Sequence, residues 1–492
     1  MFVSVTNEAT KSFGDGRIFI EKFVEKPRHI EIQVLADKHG NVVCMSEREC
    51  SVQRNNQKVI EEAPSSFITP EVRKKMYEQS VMLAKKVGYD SAGTVEYIVD
   101  KDKNFYFLEM NTRLQVEHPV TEFITGVDMI EQMIRIADGQ KLSFKQDDIK
   151  FNGWSFEARI CSEDPSKNFM PSTGWIQTYK EPNNATNFDI EKPIRVDSGV
   201  RQGCIITQFY DSMVAKLITH GKNRDEARNN LINALGDFAI EGIATNVSII
   251  ESILLDEDFA KGDFSTAFIK QKYPEGHNPK IISPSFEKYF VLAGFYLFFA
   301  RSIIHDKFNI KQNTVYSLCA NNTQYNILLK SFNSENNNNG KIVVNYDGVD
   351  YVVYQNFSFS LSSKTISLNI NNNVYNFRIN INGNNFTISG YGSVMSYICF
   401  NSKFSHFVKY FENNTSNGVK LSEFEVPISG LVTAIYVKVG DVVNPGDRIL
   451  AIEAMKMENI LTAEFKTKIK NIHTKIGEAV SVGDLLIAFD NS

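Results

Sequence analysis

Residues Lys438 to Glu453 read KVGDVVNPGDRILAIE, and residues Lys475 to Asp490 read KIGEAVSVGDLLIAFD, the same pattern displaced by 37 residues. The positions that match in register are Gly440 with Gly477, Val443 with Val480, Gly446 with Gly483, Asp447 with Asp484, and Ala451 with Ala488. Each copy predicts two short strands joined by a Gly-Asp turn. Two such copies can pack as a small flattened barrel with approximate two-fold symmetry.

The segment between the two copies, Glu453 to Glu458, reads EAMKME and must cross from one half of the barrel to the other. A lysine at the tip of a hairpin is usually only solvated. Lys456, however, lies between two methionines, which are out of place at an exposed turn, and the symmetry of the repeat centres on it. A protruding amine at one defined position is suited to covalent attachment of a carrier group.

Ala454-Met455-Lys456-Met457 resembles the biotinyl-lysine motif of biotin carboxyl carrier domains. Lipoyl domains share this fold but usually have different neighbours around the lysine, so the motif favours biotin. The resemblance implies that biotin is covalently attached to Lys456 and that a biotin protein ligase attaches it.

The composition predicts a protein of several soluble domains, about two to four for a chain of 492 residues. The net charge of -5 offers no basic surface for nucleic acid. The longest apolar run, Tyr289 to Ala300, is shorter than the roughly 18 residues of a membrane span, so we expect no membrane association. The six cysteines show no CxxC and no spacing with histidine typical of zinc sites, which favours the cytoplasm, or the mitochondrial matrix in a eukaryote.

Shifts in composition divide the chain into three predicted domains. Residues 1–275 alternate apolar strands with amphipathic helices. Residues 276–421 begin with a strongly apolar helix, about Phe286 to Ile304, and then become rich in strands and asparagine. Residues 422–492 contain the repeat. The predicted fold class is therefore multidomain α+β, ending in an all-β flattened barrel.

Local signals predict two further elements. Thr69-Pro70-Glu71 supplies an N-cap, a first-turn proline and a first-turn acid for a helix that ends at Gly88, with Val87 on its apolar face. Asp347-Gly348 lies between two alternating runs and predicts a two-residue hairpin turn.

A row of polar residues carries the candidate chemistry. From Glu109 onward, polar residues recur at every second position through Glu117, and Glu96 lies on the preceding strand. If the backbone stays extended, the members of the row point to one side, while Leu114 and Val116 point to the other. An ordinary half-buried strand alternates in the same way, with its polar side facing solvent. The members of the row are Glu109, Asn111, Arg113, Gln115 and Glu117.

The residue types in this row favour a site over a solvated strand face. Glu96, Glu109 and Asn111 offer hard oxygen ligands, which Mg²⁺ or Mn²⁺ takes alongside nucleotide phosphates. Arg113 can clamp a small anion through two parallel hydrogen bonds. Glu117 is positioned to act as a base.

These residues resemble the ATP-grasp core of biotin carboxylase, and the resemblance covers essentially residues 1–270. The matching stretches are Glu21-Lys22-Phe23, Pro27 to Glu31, Gln53 to Glu62, Phe107 to Thr121, Glu157-Ala158-Arg159 and Tyr210 to Met213. The resemblance implies a partial ATP-grasp biotin carboxylase core that uses ATP, bicarbonate, and Mg²⁺ or Mn²⁺.

The resemblance also implies a role for each matching residue. The residues implied for ATP are Glu21, Lys22 and Val24 at the adenine, with His29 and Gln53 near the ribose. The residues implied for bicarbonate are Lys58, Arg113, Gln115 and Val116, with Glu117 as the base that deprotonates it. Arg159 would stabilise the biotin enolate. Asn56 stands where many bacterial biotin carboxylases have histidine, so we expect no acid-base role there.

The middle of the chain resembles the linking domain of acyl-CoA carboxylase α subunits, a long helix followed by a β-barrel that docks on a carboxyltransferase β subunit. The segments Phe13 to Gly16, Asn104 to Phe107 and Lys261 to Thr266 are most similar to the propionyl-CoA type. The methylcrotonyl-CoA and acetyl-CoA types remain alternatives, because acyl specificity resides in the β subunit.

Members of the family have a nucleotide-fold domain and a Gly-rich phosphate lid ahead of the segment to which residue 1 corresponds. Neither a GxGxxG nor a Walker-type sequence occurs in residues 1–492. We therefore expect a separate N-terminal biotin carboxylase fragment to complete the triphosphate site, since phosphoryl transfer depends on charge stabilisation.

Two functions follow as hypotheses. In the first, the chain is a biotin carboxylase and carrier α subunit: ATP and bicarbonate give carboxyphosphate and then CO₂, biotin on Lys456 captures the CO₂, and a β subunit makes methylmalonyl-CoA. In the second, the chain alone is a non-catalytic biotinylated carrier that docks on β subunits.

Overall fold

The computed structural model describes residues 1–492 except 1, 3–4, 7–8, 11–13, 187–191, 306–309, 321–322, 336–338, 357–359, 361, 383–384, 402–422, 427–428, 455–456, 464, 482 and 491–492. Among the helices it describes, none is long and apolar enough to cross a membrane.

The first part of the chain is built on an eight-stranded sheet in which every neighbouring pair is antiparallel. The strands, in chain order, are β1 (Arg28–Ala36), β2 (Val42–Arg54), β3 (Gln57–Ala63), β4 (Ser91–Val99), β5 (Phe105–Asn111), β6 (Trp154–Cys161), β11 (Ile194–Ser198) and β13 (Met213–Gly221). Their order in the sheet is β11-β13-β6-β3-β2-β1-β4-β5, so β5 lies at one edge.

Helices cover both faces of this sheet. Helix α1 (Pro70–Lys86) packs against Ile30, Ile32 and Val34 of β1, which point to one face. Thr69 caps it, since its hydroxyl accepts from Val72 N at 3.4 Å, as predicted. The expectation that Val87 lies on the apolar face is wrong: it follows the last helical residue and is 60% exposed. The other helices of the sheet region are α2 (His118–Thr125), α3 (Met129–Ala137) and α4 (Arg224–Gly236).

Short elements complete this part of the chain. Strands β7 with β8, β9 with β12, and β10 with β14 form two-stranded sheets. Their bounds are β7 (Glu163–Asp164), β8 (Met170–Pro171), β9 (Gly174–Trp175), β10 (Thr178–Lys180), β12 (Ile205–Ile206) and β14 (Ala239–Glu241). The short helices are α5 (Val247–Leu255), α6 (Glu257–Lys261) and α7 (Phe268–Lys272), with 3₁₀ turns at Gln146–Asp148 and Pro165–Lys167.

The middle part is a helix packed against a closed eight-stranded barrel. Helix α8 (Pro284–His305) is buried on all sides from Phe290 to Ala300 and packs against three strands of the barrel, which cover its apolar surface. Asp347-Gly348 forms the predicted turn, because Tyr346 pairs with Val349. The barrel strands are β15 (Thr314–Ala320), β16 (Thr323–Glu335), β17 (Asn339–Tyr346), β18 (Val349–Asn356), β19 (Thr365–Ile370), β20 (Asn373–Asn382), β21 (Asn385–Gly390) and β22 (Ser393–Asn401).

The C-terminal part has two four-stranded sheets that enclose a core of their own, as the repeat predicted. Equivalent turns of the two copies have matching conformations: Gly446 and Gly483 have φ of 90° and 88°, values that favour glycine. The strands are β23 (Glu423–Glu425), β24 (Gly430–Ile435), β25 (Val442–Val443), β26 (Arg448–Ala454), β27 (Met457–Thr462), β28 (Thr467–Ile472), β29 (Ala479–Val480) and β30 (Leu485–Asp490).

Candidate functional site

The sheet register places charged residues of four adjacent strands in one row. Arg48 of β2 lies opposite Glu31 of β1, Glu31 lies opposite Glu96 of β4, and Glu96 lies opposite Glu109 of β5. Residues directly opposite each other in an antiparallel pair project from the same face. The row lies on the face opposite to α1, because Ile30 and Ile32 point to α1 and Glu31 points away from it.

The predicted polar row reaches this face, but not as one continuous strand. Strand β5 ends at Asn111, and the chain then turns until α2 begins at His118 with Pro119 in its first turn. The backbone therefore does not stay extended to Glu117, and Val116, expected on the other side, also lines the site. Leu114 packs in a separate apolar cluster, as its side of the alternation predicted.

A cavity of about 510 Å³ opens at this place in the sheet. It gathers ten of the residues predicted for ATP, metal, bicarbonate and catalysis. The lining residues are His29, Asn55, Asn56, Gln57, Lys58, Glu96, Glu109, Asn111, Arg113, Gln115, Val116, Glu117, Arg159, Asp211 and Ser212.

Arg48 forms the floor beneath the cavity and is completely buried. Its guanidinium donates to the carboxylate of Glu31, and it also donates to Gln115 Oε1 at 2.9 Å. Further bonds run to the side chains of Gln33, Thr94 and Thr121. Because a buried charge is costly unless it is paired and hydrogen-bonded, this network fixes the floor in one arrangement.

Glu117 is held between two cations at the centre of the site. Lys58 Nζ lies 2.5 Å from Glu117 Oε1, and Arg159 Nη2 lies 2.8 Å from Glu117 Oε2. The carboxylate is almost completely buried at 1% exposure, and it immediately precedes α2. Lys58 also reaches Glu31 at 2.6 Å and Glu96 at 3.3 Å, so one ammonium group bridges three carboxylates.

The three predicted metal ligands converge at the edge of the cavity. Asn111 Nδ2 lies 3.0 Å from Glu96 Oε1 and 3.2 Å from Glu109 Oε1. His29 Nε2 lies 2.8 Å from the other oxygen of Glu96. Two carboxylates and an amide whose oxygen can be turned inward form the donor set that Mg²⁺ takes, so the residues present fit this ion.

Charge pairing keeps the central carboxyls ionised in spite of burial. Burial alone would raise the pKa of Glu31, but the charges of Arg48 and Lys58 outweigh it and lower the pKa to about 2. Burial likewise opposes ionisation of Glu96, and the hydrogen bond from His29 and the charge of Lys58 lower its pKa to about 2. Both groups therefore carry negative charge at neutral pH.

Some predicted residues do not line the cavity. Glu21 and Lys22 are exposed and Val24 is half-buried, in an irregular segment that precedes β1. Gln53 lies behind the lining, where its Nε2 is 2.7 Å from His29 Nδ1. Lys456 lies outside the described residues, between strands β26 and β27.

Several site residues escaped the sequence analysis. Glu31 and Arg48 had a signal: Glu31 is a polar member of the apolar–polar alternation of β1, and Arg48 lies in the charged run Glu47-Arg48-Glu49 inside a buried strand. Asp211 belonged to a matching stretch but had no assigned role, and the structure places it at the cavity wall.

Family models match most of the chain. The ATP-binding domain of the carbamoyl-phosphate synthase L chain matches residues 1–145, and the biotin carboxylase C-terminal domain matches residues 157–271. The model named for biotin-requiring enzymes matches residues 422–489. An ATP-binding fold, a biotin carboxylase domain and a biotinyl domain in one chain define a biotin-dependent carboxylase.

Relatives narrow this class to one family. The chain is 40% identical to the mitochondrial propionyl-CoA carboxylase alpha chain of Mus musculus over 99% of its own length and 67% of the relative. It is 39% identical to the propionyl-CoA carboxylase alpha chain of Ruegeria pomeroyi over 99% of this chain and 74% of that one. The chain belongs to the family of propionyl-CoA carboxylase alpha chains. It spans about two thirds of the length of the mammalian members.

Solved structures agree for the first part of the chain. The biotin carboxylase domain of Hydrogenobacter thermophilus 2-oxoglutarate carboxylase, in complex with MgADP, ADP and bicarbonate, is 47% identical with a TM-score of 0.52. The Campylobacter jejuni biotin carboxylase complex with beta-gamma-ATP is 41% identical with a TM-score of 0.52. Each match covers 55% of this chain and 58% of the solved chain.

Proposed function

We propose that this chain carboxylates biotin carried on its own Lys456, using ATP and bicarbonate, and that it delivers the carboxyl group to a carboxyltransferase β subunit that makes methylmalonyl-CoA. The observation that carries the proposal is the position of Glu117, which is buried at the cavity between Lys58 and Arg159. A carboxylate so placed is suited to accept a proton from a small acidic substrate.

Bicarbonate binding is assigned to the side of the cavity formed by Arg113, Gln115 and Val116. Arg113 is exposed, and its one hydrogen bond among the described residues is to the backbone oxygen of Leu114 at 3.3 Å. Its guanidinium is therefore available for a bidentate bond to a carbonate group. Gln115 is held from below by Arg48, which fixes the amide that would contact the same anion.

Glu117 would take the proton of bound bicarbonate. Lys58 and Arg159 hold both of its oxygens, so the carboxylate cannot rotate away from the cavity. The same two cations would stabilise negative charge that develops on a neighbouring substrate oxygen, because preorganised donors act strongly in a site that excludes water. Arg159 is thereby also placed to stabilise negative charge on the ring of biotin.

ATP and Mg²⁺ are assigned to the adjacent wall. Glu96, Glu109 and Asn111 would hold the ion, which supplies charge neutralisation to the nucleotide phosphates when it is bound. His29 and Gln53 stay the proposed ribose contacts, and they already form one hydrogen-bonded pair. The adenine contacts proposed at Glu21, Lys22 and Val24 lie outside the cavity in this structure and rest on the family resemblance.

The carrier part supports the proposal by its architecture. Ala454 pairs with Met457, so strands β26 and β27 run up to the two sides of the biotinylation motif. Biotin attached there supplies a ring nitrogen that accepts the carboxyl group. The barrel gives the strands on either side of the motif a firm scaffold, because 14 of its described residues, such as Val432 and Ile452, form one buried apolar core.

The proposed division is residues 1–275 for the partial biotin carboxylase, 276–421 for the linking domain and 422–492 for the carrier domain. The linking domain is the proposed docking site for the β subunit, and a biotin protein ligase is the proposed partner for Lys456. A separate N-terminal biotin carboxylase fragment stays a prediction. We also propose a mitochondrial matrix location in a eukaryote, since the mammalian relatives are named as mitochondrial.

The deciding experiment is bicarbonate-dependent ATP hydrolysis with free biotin by the purified chain, assayed alone and together with the proposed N-terminal biotin carboxylase fragment. We expect Glu117→Gln to lower this turnover at least about 100-fold, since general-base catalysis typically contributes about 10²–10⁴. Glu131→Gln, which changes an exposed carboxylate on α3, is the matched control. Turnover that is unchanged in Glu117→Gln would refute the role of this residue. No turnover in the unaltered chain, with biotin still attached, would favour the non-catalytic carrier.

The carrier assignment has its own test. We expect Lys456→Arg to abolish labelling by a biotin protein ligase, because guanidinium cannot form the amide bond. Lys438→Arg and Lys475→Arg, at the equivalent turns of the two repeats, should be labelled like the unaltered chain. Streptavidin blotting measures this directly, and persistent labelling of Lys456→Arg would exclude Lys456 as the attachment site.

A further inference from the structure

Two buried carboxyl groups lie beneath Arg159, outside the roles assigned so far. Glu61 of β3 lies directly opposite Glu157 of β6, and both side chains are completely buried. Because residues opposite each other in an antiparallel pair have Cβ atoms about 4.5–5.5 Å apart, the two carboxyl groups share one space in the sheet. Two ionised carboxylates at that separation, away from water, repel each other strongly.

Their hydrogen bonds are incomplete in a specific way. Glu61 Oε1 accepts from Arg159 Nε at 2.5 Å, while Glu61 Oε2 and both oxygens of Glu157 have no hydrogen-bond donor among the described residues. The nearest cation to Glu157, Lys216, lies 3.9 Å away, beyond hydrogen-bond distance. Lys216 instead donates to the backbone oxygen of Val116 at 2.5 Å.

One proton shared by the two carboxyl groups would supply most of the missing hydrogen bonds. A protonated Glu157 would donate its O–H to Glu61 Oε2, so that Glu61 uses both oxygens and Glu157 keeps no buried negative charge. The charged groups that face the pair are Lys58, Glu117, Arg159 and Lys216. Burial raises the pKa of Glu61 to about 7 against the opposing charge of Arg159, and burial also raises the pKa of Glu157.

We propose that Glu61 and Glu157 share one proton and act together as a positioning pair that fixes the guanidinium of Arg159 against Glu117. Arg159 divides its donors between the two sides: Nε points to Glu61 and Nη2 to Glu117. With one proton in the pair, a single negative charge holds Arg159 Nε, and Arg159 Nη2 stays hydrogen-bonded to Glu117. The kinetic part of this proposal rests on the proposed function, whereas the shared proton does not.

The pair also predicts how stability and catalysis change with pH. A second ionisation adds negative charge beside Arg159 and draws the guanidinium away from Glu117. The folded chain holds the proton on Glu157 more tightly than an unfolded carboxyl does, because burial raises the pKa of Glu157 above its usual value, so the stability from the pair is lost as pH rises through that raised pKa. Catalysis by a fixed Arg159 should fall on the same alkaline side.

The first test is infrared titration of the full chain from about pH 5 to about pH 9, which needs no turnover. A protonated buried carboxyl has a carbonyl band that an ionised one lacks. We expect the difference between the unaltered chain and Glu157→Gln to contain such a band, lost as pH rises. Glu62→Gln is the matched control, since Glu62 neighbours Glu61 in β3 but pairs with Arg224. A difference spectrum without a protonated-carboxyl band would overturn the proposal.

A second variant keeps the test decisive if Glu157→Gln folds poorly. In Glu61→Gln the remaining carboxyl no longer faces a like charge, so its titration midpoint should move down by about one pH unit or more. An unmoved midpoint would mean that the two groups titrate independently, which would refute proton sharing.

The kinetic test separates positioning from a structural role. Glu157→Gln keeps the neutral state at every pH, so bicarbonate-dependent ATP turnover should retain its neutral-pH rate and extend to higher pH by about one unit. Glu157→Ala should lower kcat with little change in KM for bicarbonate. A pH profile of Glu157→Gln that superimposes on the unaltered chain would overturn the positioning role. If the unaltered chain shows no turnover, the proposed function fails, and the infrared titration still decides the proton pair.

Discussion

At the scale of single residues, Lys58 balances more charge than any other cation lining the cavity. Its side chain is 10% exposed and lies within 3.3 Å of carboxylate oxygens of Glu31, Glu96 and Glu117. Burial opposes its charge, but these carboxylates outweigh burial and raise the pKa of Lys58, so it stays protonated at any ordinary pH. The electrostatic balance of the cavity therefore depends on Lys58 together with Arg48 and Arg159, and Lys58 is the cation that all three carboxylates share.

Removing this charge should be strongly destabilising. We expect Lys58→Met to lower the free energy of unfolding by about 3–5 kcal/mol, because three buried carboxylates that repel one another lose the cation that they share. Urea denaturation measures the change, and Lys261→Met, from an exposed ion pair, should cost less than about 1 kcal/mol. Adding Glu31→Gln to Lys58→Met should recover part of the loss. Equal stability of the Lys58 and Lys261 variants would contradict this account.

The sequence identified many of the residues that form the site. It did not show which of these residues form ion pairs and hydrogen bonds with each other. The alternation from Glu109 to Glu117 identified members of the cavity because the spacing is local. The pairing of Arg48 with Glu31 depends on the register between two strands, and the bond from Arg48 to Gln115 joins residues far apart in the chain. The spacing of residues along one strand does not show which residue of a neighbouring strand lies opposite, because register depends on the hydrophobic patterns of both strands and on the turn between them.

At the scale of elements, predictions were correct where the signal was local. The repeat predicted both halves of the carrier barrel, since each glycine turn is specified by its own few residues. The polar row was wrong in its geometry because β5 ends at Asn111 and the chain turns before α2 begins at His118; Pro119, in the first turn of α2, was a signal for this helix in the sequence. The residues of that turn still reach the cavity, because β5 ends at its rim.

In helix α8, a glycine is required because the helix lies very close to two strands of the barrel. Gly294 lies in the middle of the helix, where glycine usually costs about 1 kcal/mol relative to alanine. A Cβ at this position would lie 2.6 Å from Leu318 Cδ2 and 3.1 Å from the ring of Tyr397. The missing side chain lets the helix pack closely against strands β15 and β22.

Helix propensity alone predicts that replacing Gly294 by alanine raises the free energy of unfolding. The close contacts at this position predict that the same substitution lowers it. We expect Gly294→Ala to lower the free energy of unfolding by about 1–3 kcal/mol through overpacking. Gln79→Ala, at an exposed interior position of α1, should change stability by less than about 0.5 kcal/mol. Thermal or urea unfolding measures both. A stabilised Gly294→Ala variant would show that the contact relaxes without cost.

At the scale of the whole molecule, the carboxylase part and the linking barrel share one hydrophobic core. Polar contacts cross the same boundary: Arg378 of β20 makes two bonds, at 2.7 and 3.0 Å, to the fully buried carboxylate of Glu251 in α5. Lys364 Nζ lies 2.6 Å from Glu241 Oε2. The carrier part has a separate core, to which Met170 is the described contribution from the carboxylase part. The chain should therefore unfold as two cooperative bodies.

Calorimetry of the full chain can test this division through the ion pair that joins α5 to the barrel. We expect two transitions, and we expect Arg378→Met to lower the midpoint of the larger one by roughly 4–6 °C, because Glu251 stays buried without its cation. The smaller transition should not move, since neither Arg378 nor Glu251 belongs to the carrier core that the described residues form. Lys330→Met, which breaks an exposed ion pair within the barrel, should leave both midpoints nearly unchanged. A third transition would show that the barrel unfolds separately from the carboxylase part. An equal shift of both midpoints in Arg378→Met would show that the carrier part unfolds together with them.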